Sequence, residues 1–330
     1  MRWPWLLAGL LLCGCERSGG PLVDYPQRLA NVLDVPHEPS PLPVLAAGGG
    51  RPWAAPQAEI TIGLTELYAL RKCNLGALIG ARNSALGKVA PPSQRFLYEV
   101  ELLHGLNHCD QAPAKTRQLA ERLAAQKAPA LPLAAWHLVS QDDAFRRNWR
   151  HGVAPLAVGD FPGLYDAITA VTDIRALLQG WDPIRAARLE SGLAALAHGR
   201  ILARLNVSLY QARHQLDAAA ELLEQHQQHI PCPNGRPGAR ANTIGQFFFG
   251  YYGNKVQPHL GELLQANRLL KRPLSELIVS LPVPTSAREQ VRYLSGLDEG
   301  SLSADFDAAL KRHTQAWQQF LGRCGLRPGG

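Results

Sequence analysis

From Asp182 to Pro231 the chain reads DPIRAARLESGLAALAHGRILARLNVSLYQARHQLDAAAELLEQHQQHIP. An aspartate followed by proline is a helix start: the carboxylate caps amides that the first turn leaves free, and the ring is pre-set for the first helical position. No further proline intervenes before Pro231. An unbroken helix of that length would span roughly 65 to 70 Å at about 1.5 Å per residue. Leu202, Leu205, Leu209, Ala212, Leu216, Ala219 and Leu223 step by three and four, the seam of a long antiparallel helix pair. Leu189, Leu193 and Leu196 lie in another phase, so the packed face shifts near Gly199. The stretch predicts one very long helix as the spine of the body.

Downstream, Pro231 to Arg240 holds two further prolines and two glycines and reads as a loop. Phe247, Phe248, Phe249, Tyr251 and Tyr252 follow, the densest aromatic group in the chain, suited either to a groove or to core beneath a loop. Helices are expected at Pro258–Leu270, Leu274–Leu281, Ala287–Leu294 and Ala304–Gly322, the last with an apolar face of Phe306, Leu310, Trp317, Phe320 and Leu321.

Upstream, apolar spacing predicts helices around Leu64–Leu70 and Leu75–Ile79, through Phe96–Leu106 with Ser93 as N-cap, and over Lys115–Lys127, Leu133–Arg150 and Leu164–Leu177. Ile60 to Ile62 is the one strand expected. The polar interval from Arg82 to Ser93 reads as a loop and His151 to Pro162 as a connection. The class is therefore all-α, an elongated helical bundle, with the body spanning residues 58–330.

The N-terminus sets the compartment. Arg2 precedes an apolar run, Trp3 to Leu12, too short to span a bilayer stably, which is the form of a secretory signal. Leu12, Cys13, Gly14 and Cys15 resemble the lipobox of bacterial lipoproteins. That resemblance implies removal of residues 1–14, lipid on Cys15 and a mature chain held on a membrane. In such lipoproteins aspartate after the cysteine favours inner-membrane retention; Glu16 stands there, so the outer membrane, facing the periplasm, is expected. Residues 15–57 are rich in proline and glycine and read as a tether, interrupted by a short docking helix with Asp24, Tyr25, Arg28, Leu29, Val32 and Leu33 at helical spacing.

Of six cysteines, Cys13 leaves with the signal and Cys15 takes lipid. Cys73, Cys109, Cys232 and Cys324 remain, an even set that favours two disulfides in an oxidising compartment. Three pairings exist; local closure favours Cys73 with Cys109 and Cys232 with Cys324. The formal charge is +7, of which Arg2 supplies one, but the basic residues are scattered over helix faces. Without a dense basic run, and outside the cytosol, nucleic acid is not an expected partner.

No complete catalytic set is legible. His226, His229 and Cys232, with His214 earlier, have the spacing of zinc ligands, as do His104, His108 and Cys109. A polar helix end accounts for the first histidines, and both cysteines are needed for bridges, so no metal or other cofactor is expected. Glu190 and Ser191 resemble the Glu-Ser pair of lytic transglycosylases, yet the Gly-Leu-Met-Gln segment of that family is missing. The constrained polar loop bearing Arg82, Asn83, Ser84, Gly87, Lys88 and Gln94 is the candidate binding site.

The lipobox, Asp24-Tyr25 with Arg28-Leu29, the run from Arg82 to Gln94 and Lys255-Val256-Gln257-Pro258 together resemble a proteobacterial lipoprotein family known as domain of unknown function 3080. The resemblance covers nearly the whole mature chain and implies an envelope lipoprotein. It supplies no substrate and no catalytic residue. The expected function is that of a non-enzymatic binding or scaffolding module whose partner is an envelope protein or peptidoglycan; the alternative is an enzyme acting on an envelope polymer.

Overall fold

Asp182 caps its helix as its place before Pro183 requires, Oδ1 accepting from the amides of Ile184 and Arg185 at 2.9 and 3.2 Å. The computed structural model describes residues 20–39, 41–42, 44–56 and 62–327. The signal stretch 1–14, Cys15, Glu16 and most of the strand expected at Ile60 to Ile62 lie outside those residues. The described chain forms α1 (Tyr25–Leu33), α2 (Leu64–Leu70), α3 (Gly76–Asn83), α4 (Ala85–Lys88), α5 (Pro92–Asn107), α6 (Ala114–Lys127), α7 (Leu131–Gln141) and α8 (Asp143–Asn148). It continues through α9 (Leu164–Leu177), α10 (Pro183–Gly199), α11 (Ile201–His226), α12 (Ala239–Phe247), a π-helical stretch Phe248–Val256, α13 (Gln257–Val279), α14 (Thr285–Ser295) and α15 (Leu302–Arg323). Among the described residues there is no strand, only an isolated bridge between Ala157 and Asp160. The fold is all-α, and no described helix is long and apolar enough to cross a membrane.

The single spine helix expected from Asp182 to Pro231 is two helices. The break falls where the apolar phase shifts: Arg200 adopts φ 48°, ψ 35°, a left-handed conformation that ends α10 and starts α11. A side chain on Gly199 would meet the Pro162 carbonyl at 2.7 Å, so the neighbouring chain passes too close for anything larger. Both helix ends thus carry backbone groups that need partners, and the fully buried Asn148 supplies them. Its Nδ2 donates to the carbonyls of Ala144 and Leu196, both at 2.8 Å, while Oδ1 accepts from the amides of Leu202 at 3.1 Å and Ala203 at 3.4 Å. Asn148→Leu leaves the Leu202 and Ala203 amides buried without a partner, at about 1 to 3 kcal/mol each before relaxation, while the Leu196 carbonyl keeps the Arg200 amide at 3.1 Å, so a net loss of about 3 kcal/mol is expected in urea unfolding. A loss below about 1 kcal/mol, the net worth of one ordinary hydrogen bond, would show that Asn148 does not hold the joint.

The seam on α11 also has a different partner geometry from the one expected. Arg213 pairs with Asp305 at 2.8 Å, Arg312 with Glu224 at 2.6 Å, and Gln227 meets Gln319, so numbers rise together along both helices. The two helices therefore run parallel, which is open to them because α12 to α14 form a long return connection. α9 and α10 pack antiparallel. Between them the buried carboxylate of Asp173 accepts from Arg185 Nη1 at 2.9 Å and from Arg188 Nε and Nη2 at 2.5 and 2.6 Å.

The proline- and glycine-rich segment is not a free spacer over its described part. α1 docks as expected, burying Tyr25, Leu29, Ala30 and Leu33. Beyond it, residues 44–56 are strapped to the body through their backbone: the Gly48 amide donates to the Trp149 carbonyl at 2.8 Å, and the carbonyls of Ala46 and Ala47 meet His151 Nδ1 and Gln290 Nε2 at 3.0 and 2.7 Å. Trp53 locks the strap, fully buried against Trp136 and Trp149, with its Nε1 donating to Gln290 at 2.9 Å. Composition alone argues for a spacer; the backbone bonds overrule it.

A smaller core of Leu70, Ile79, Leu102, Leu106 and Leu123 lies under α2 to α6 and is closed by the Cys73–Cys109 disulfide. The second bridge joins Cys232 to Cys324, as local closure favours. Ser93 is not an N-cap but a buried residue inside α5, which starts at Pro92. The run expected from Leu133 to Arg150 breaks at Asp142, whose Oδ1 caps α8 through the Ala144 amide at 3.1 Å. The two helices expected on either side of Pro273 are one, α13.

Candidate functional site

The loop from Arg82 to Ser93 is folded rather than extended. Ser84 Oγ accepts from the Gly87 amide at 3.1 Å and caps the single turn of α4, which doubles back on α3 so tightly that a side chain on Gly87 would collide with the carbonyls of Ala81 and Arg82. Arg82 Nη1 donates to the Gly87 carbonyl at 2.9 Å and lies over the Tyr98 ring at 5.9 Å. The turn is thereby fixed against α5.

Between this turn and the start of α10 runs a groove of about 540 Å³. Arg82, Gly87 and Gln94 line it, as the sequence suggests; Tyr98, Glu101 and Trp181 add to its walls, and the rest of the lining is apolar, from α3 to α5 and the start of α10. Asn83, Ser84 and Lys88 are exposed but are not among its walls. Tyr98, Glu101 and Trp181 escape sequence reasoning because they come from a neighbouring helix and from the residue before the Asp182 cap. Gln94 Nε2 donates to Glu190 Oε1 at 2.7 Å, tying α5 to α10 at the groove's edge. Partial burial, then the Glu99 charge, push the Tyr98 phenol far up, so it stays protonated and can donate.

Glu190 is half-buried, and Ser191 Oγ donates back to the Arg188 carbonyl at 2.7 Å. A general acid for glycoside cleavage needs an apolar enclosure and a second carboxylate facing the same sugar. Glu190 is instead bound to an exposed amide.

The two histidine–cysteine sets do not converge on a metal. Cys109 and Cys232 are in disulfides, His214 packs edge-on against Tyr210 at 4.7 Å, and His104 stacks on His108 at 4.1 Å. Burial and then the neighbouring His108 lower the His104 pKa. Among the described residues no three His, Cys, Asp or Glu side chains are grouped to hold a metal ion.

The aromatic group sits largely in the π-helical stretch, a rare geometry that is frequent at functional sites. Beneath it Tyr25, His313 and Trp317 form a buried triad. Tyr25 Oη is 2.7 Å from His313 Nε2, and Trp317 Nε1 points at both, at 2.9 and 3.1 Å. Indole can only donate, so Trp317 donates to the Tyr25 oxygen and toward His313 Nε2, while His313 Nδ1 is buried without a partner. Burial pushes the His313 pKa down to about 3. An unfolded histidine takes up a proton near pH 6.5, so the triad's stability is lost as pH falls from about 6.5.

No curated protein and no solved structure matches the chain. One family does: its sequence model covers residues 22–328, from just before the docking helix to past the second disulfide. The chain therefore belongs to the family described as Protein of unknown function (DUF3080).

Proposed function

We propose that this is a lipid-anchored envelope protein, attached through Cys15 and facing the periplasm from the outer membrane, whose helical body is a non-enzymatic binding module. The observation that carries the binding role is the convergence of Arg82 and Gln94 with Tyr98, Glu101 and Trp181 on one groove. Its donors, carboxylate and aromatic faces suit a polar polymer or peptide of the envelope, where stacking and hydrogen bonds share the recognition. The lipobox and two disulfides support a location outside the cytosol. The engagement of Glu190 by Gln94 supports binding over glycoside cleavage.

The test is recovery of purified sacculi or crosslinked envelope proteins by the intact chain and by Gln94→Ala with Trp181→Ala. Losing one hydrogen bond to the partner, at about 1.4 kcal/mol, weakens capture about tenfold, and loss of the stacking face adds to this. Unchanged capture, or release of muropeptides by the purified protein, would overturn the reading.

A further inference from the structure

A second groove, of about 560 Å³, lies between the π-helical stretch and α15. Its apolar lining comes from Phe248, Tyr252, Trp317 and Leu321, with Gln257 and Arg327 at the rim. Trp317 is 1% exposed and Tyr252 7%, so both form the floor. The indole donor is spent inward on Tyr25 and His313, which leaves the Tyr252 hydroxyl on the floor and the side chains of Gln257, Thr314, Gln318 and Arg327 around it as the groove's polar groups. The ring faces of Phe248, Tyr252 and Trp317 with Leu321 suit an apolar chain lying along the floor, with polar contacts confined mainly to the rim. Arg327 is exposed and has no carboxylate partner among the described residues.

The proposed lipid attachment at Cys15 bears on the occupant. The Tyr251 hydroxyl, one residue from the groove's Tyr252, lies 3.0 Å from the Pro21 carbonyl and 2.9 Å from the Asp24 carboxylate. With residues 44–56 strapped down and α1 docked, six residues separate the proposed attachment at Cys15 from Pro21. Six residues reach at most about 20 Å. The aromatic groove is thus kept within a short reach of the bilayer surface.

We propose that this groove takes one acyl chain of a membrane phospholipid, with Arg327 at its mouth facing the headgroup phosphate. The proposal rests on anchorage through Cys15. It makes the π-helical stretch a lipid seat and leaves the Arg82–Gln94 groove free for a separate partner.

The experiment uses the full-length lipidated protein in phosphatidylethanolamine/phosphatidylglycerol vesicles containing a phospholipid with a photoactivatable diazirine near the end of one acyl chain. After irradiation, mass mapping is expected to place adducts on peptides carrying Phe248–Tyr252 and Trp317–Leu321. Thr314→Trp, at an exposed position on the groove's edge, fills the seat without entering the core and is expected to lose these adducts while keeping its circular dichroism and both disulfides. Adducts absent from both peptides, or unchanged in Thr314→Trp, would overturn the proposal. A chain starting at Cys15 and coupled there to a maleimide lipid separates the two readings, since its attachment is imposed chemically. Groove adducts in the coupled chain, with the cellular protein unlipidated, would refute the anchor and support the seat. A vesicle-bound coupled chain without them would refute the seat alone.

Discussion

Replacing Cys232 and Cys324 together by alanine is expected to lower the unfolding free energy by about 4 to 5 kcal/mol, the largest loss from removing any one covalent contact in the fold. The bridge closes 92 residues, and in the chain-entropy description the stabilisation grows with the logarithm of the loop, giving about 4.6 kcal/mol here and about 3.8 kcal/mol for the loop of Cys73–Cys109. The location sharpens the expectation. Cys232 follows the end of α11 and Cys324 the end of α15; because these helices run parallel, the bridge ties the same ends of the pair, with their Cα atoms 5.1 Å apart. Everything from α12 to α15, including the π-helical stretch, lies inside the closed loop. Arg323 reinforces the closure by donating to the carbonyls of Gln227 and Ile230. Guanidinium unfolding of the oxidised protein, its reduced form and the double variant measures the term. A difference below about 1 kcal/mol between oxidised protein and double variant, far under the chain-entropy value, would mean that the loop is already ordered in the unfolded chain.

Lys271→Met is expected to stabilise the protein at neutral pH and to flatten its stability between pH 7 and 9.5. Lys271 is wholly buried on α13, and its ammonium has no hydrogen-bond partner among the described residues. Burial alone pulls its pKa from 10.5 down to about 7. In the unfolded chain the group keeps its proton up to about pH 10.4, so between about 7 and 10 the unfolded state binds more protons and stability rises with pH. At about 1.36 kcal/mol per unit, the folded protein gains about 3 kcal/mol from pH 7 to 9.5, and loses it as pH falls back through 7. His151 does not pair with the lysine; burial first, and among smaller causes the Lys271 charge, drive its pKa down to about 4. Methionine fills a similar volume without a charge to desolvate. Denaturant midpoints across this range decide the matter: a variant that keeps the wild-type slope, or is less stable at pH 7, would show that the ammonium is satisfied in the folded state.

The helical class, the Asp182 cap, the docking helix and both disulfide pairings were readable from residue spacing, because each depends on neighbours in the chain or on local closure. The direction of the α11–α15 pair was not, since helices that pack through leucine and alanine give the same three-four pattern in either sense, and the choice is made by the long return through α12 to α14. The break at Arg200 was half legible. The phase shift marks its place, but the cause is Asn148, some fifty residues away, whose one carboxamide serves both helix ends. Composition misjudged residues 44–56 because the strap is held mainly by backbone groups, which no side-chain pattern advertises. At the candidate site, Arg82 and Gln94 were legible as a constrained polar loop, while Trp181 and Glu101 reach the groove only through tertiary packing.

The proposed anchorage and location rest on Cys15. The direct measurement is mass spectrometry of the N-terminal peptide of the protein extracted from membranes of the producing cell. The account predicts a chain beginning at Cys15 and carrying acyl groups on that residue; a peptide retaining residues 1–14, or a Cys15 with a free thiol, would contradict it.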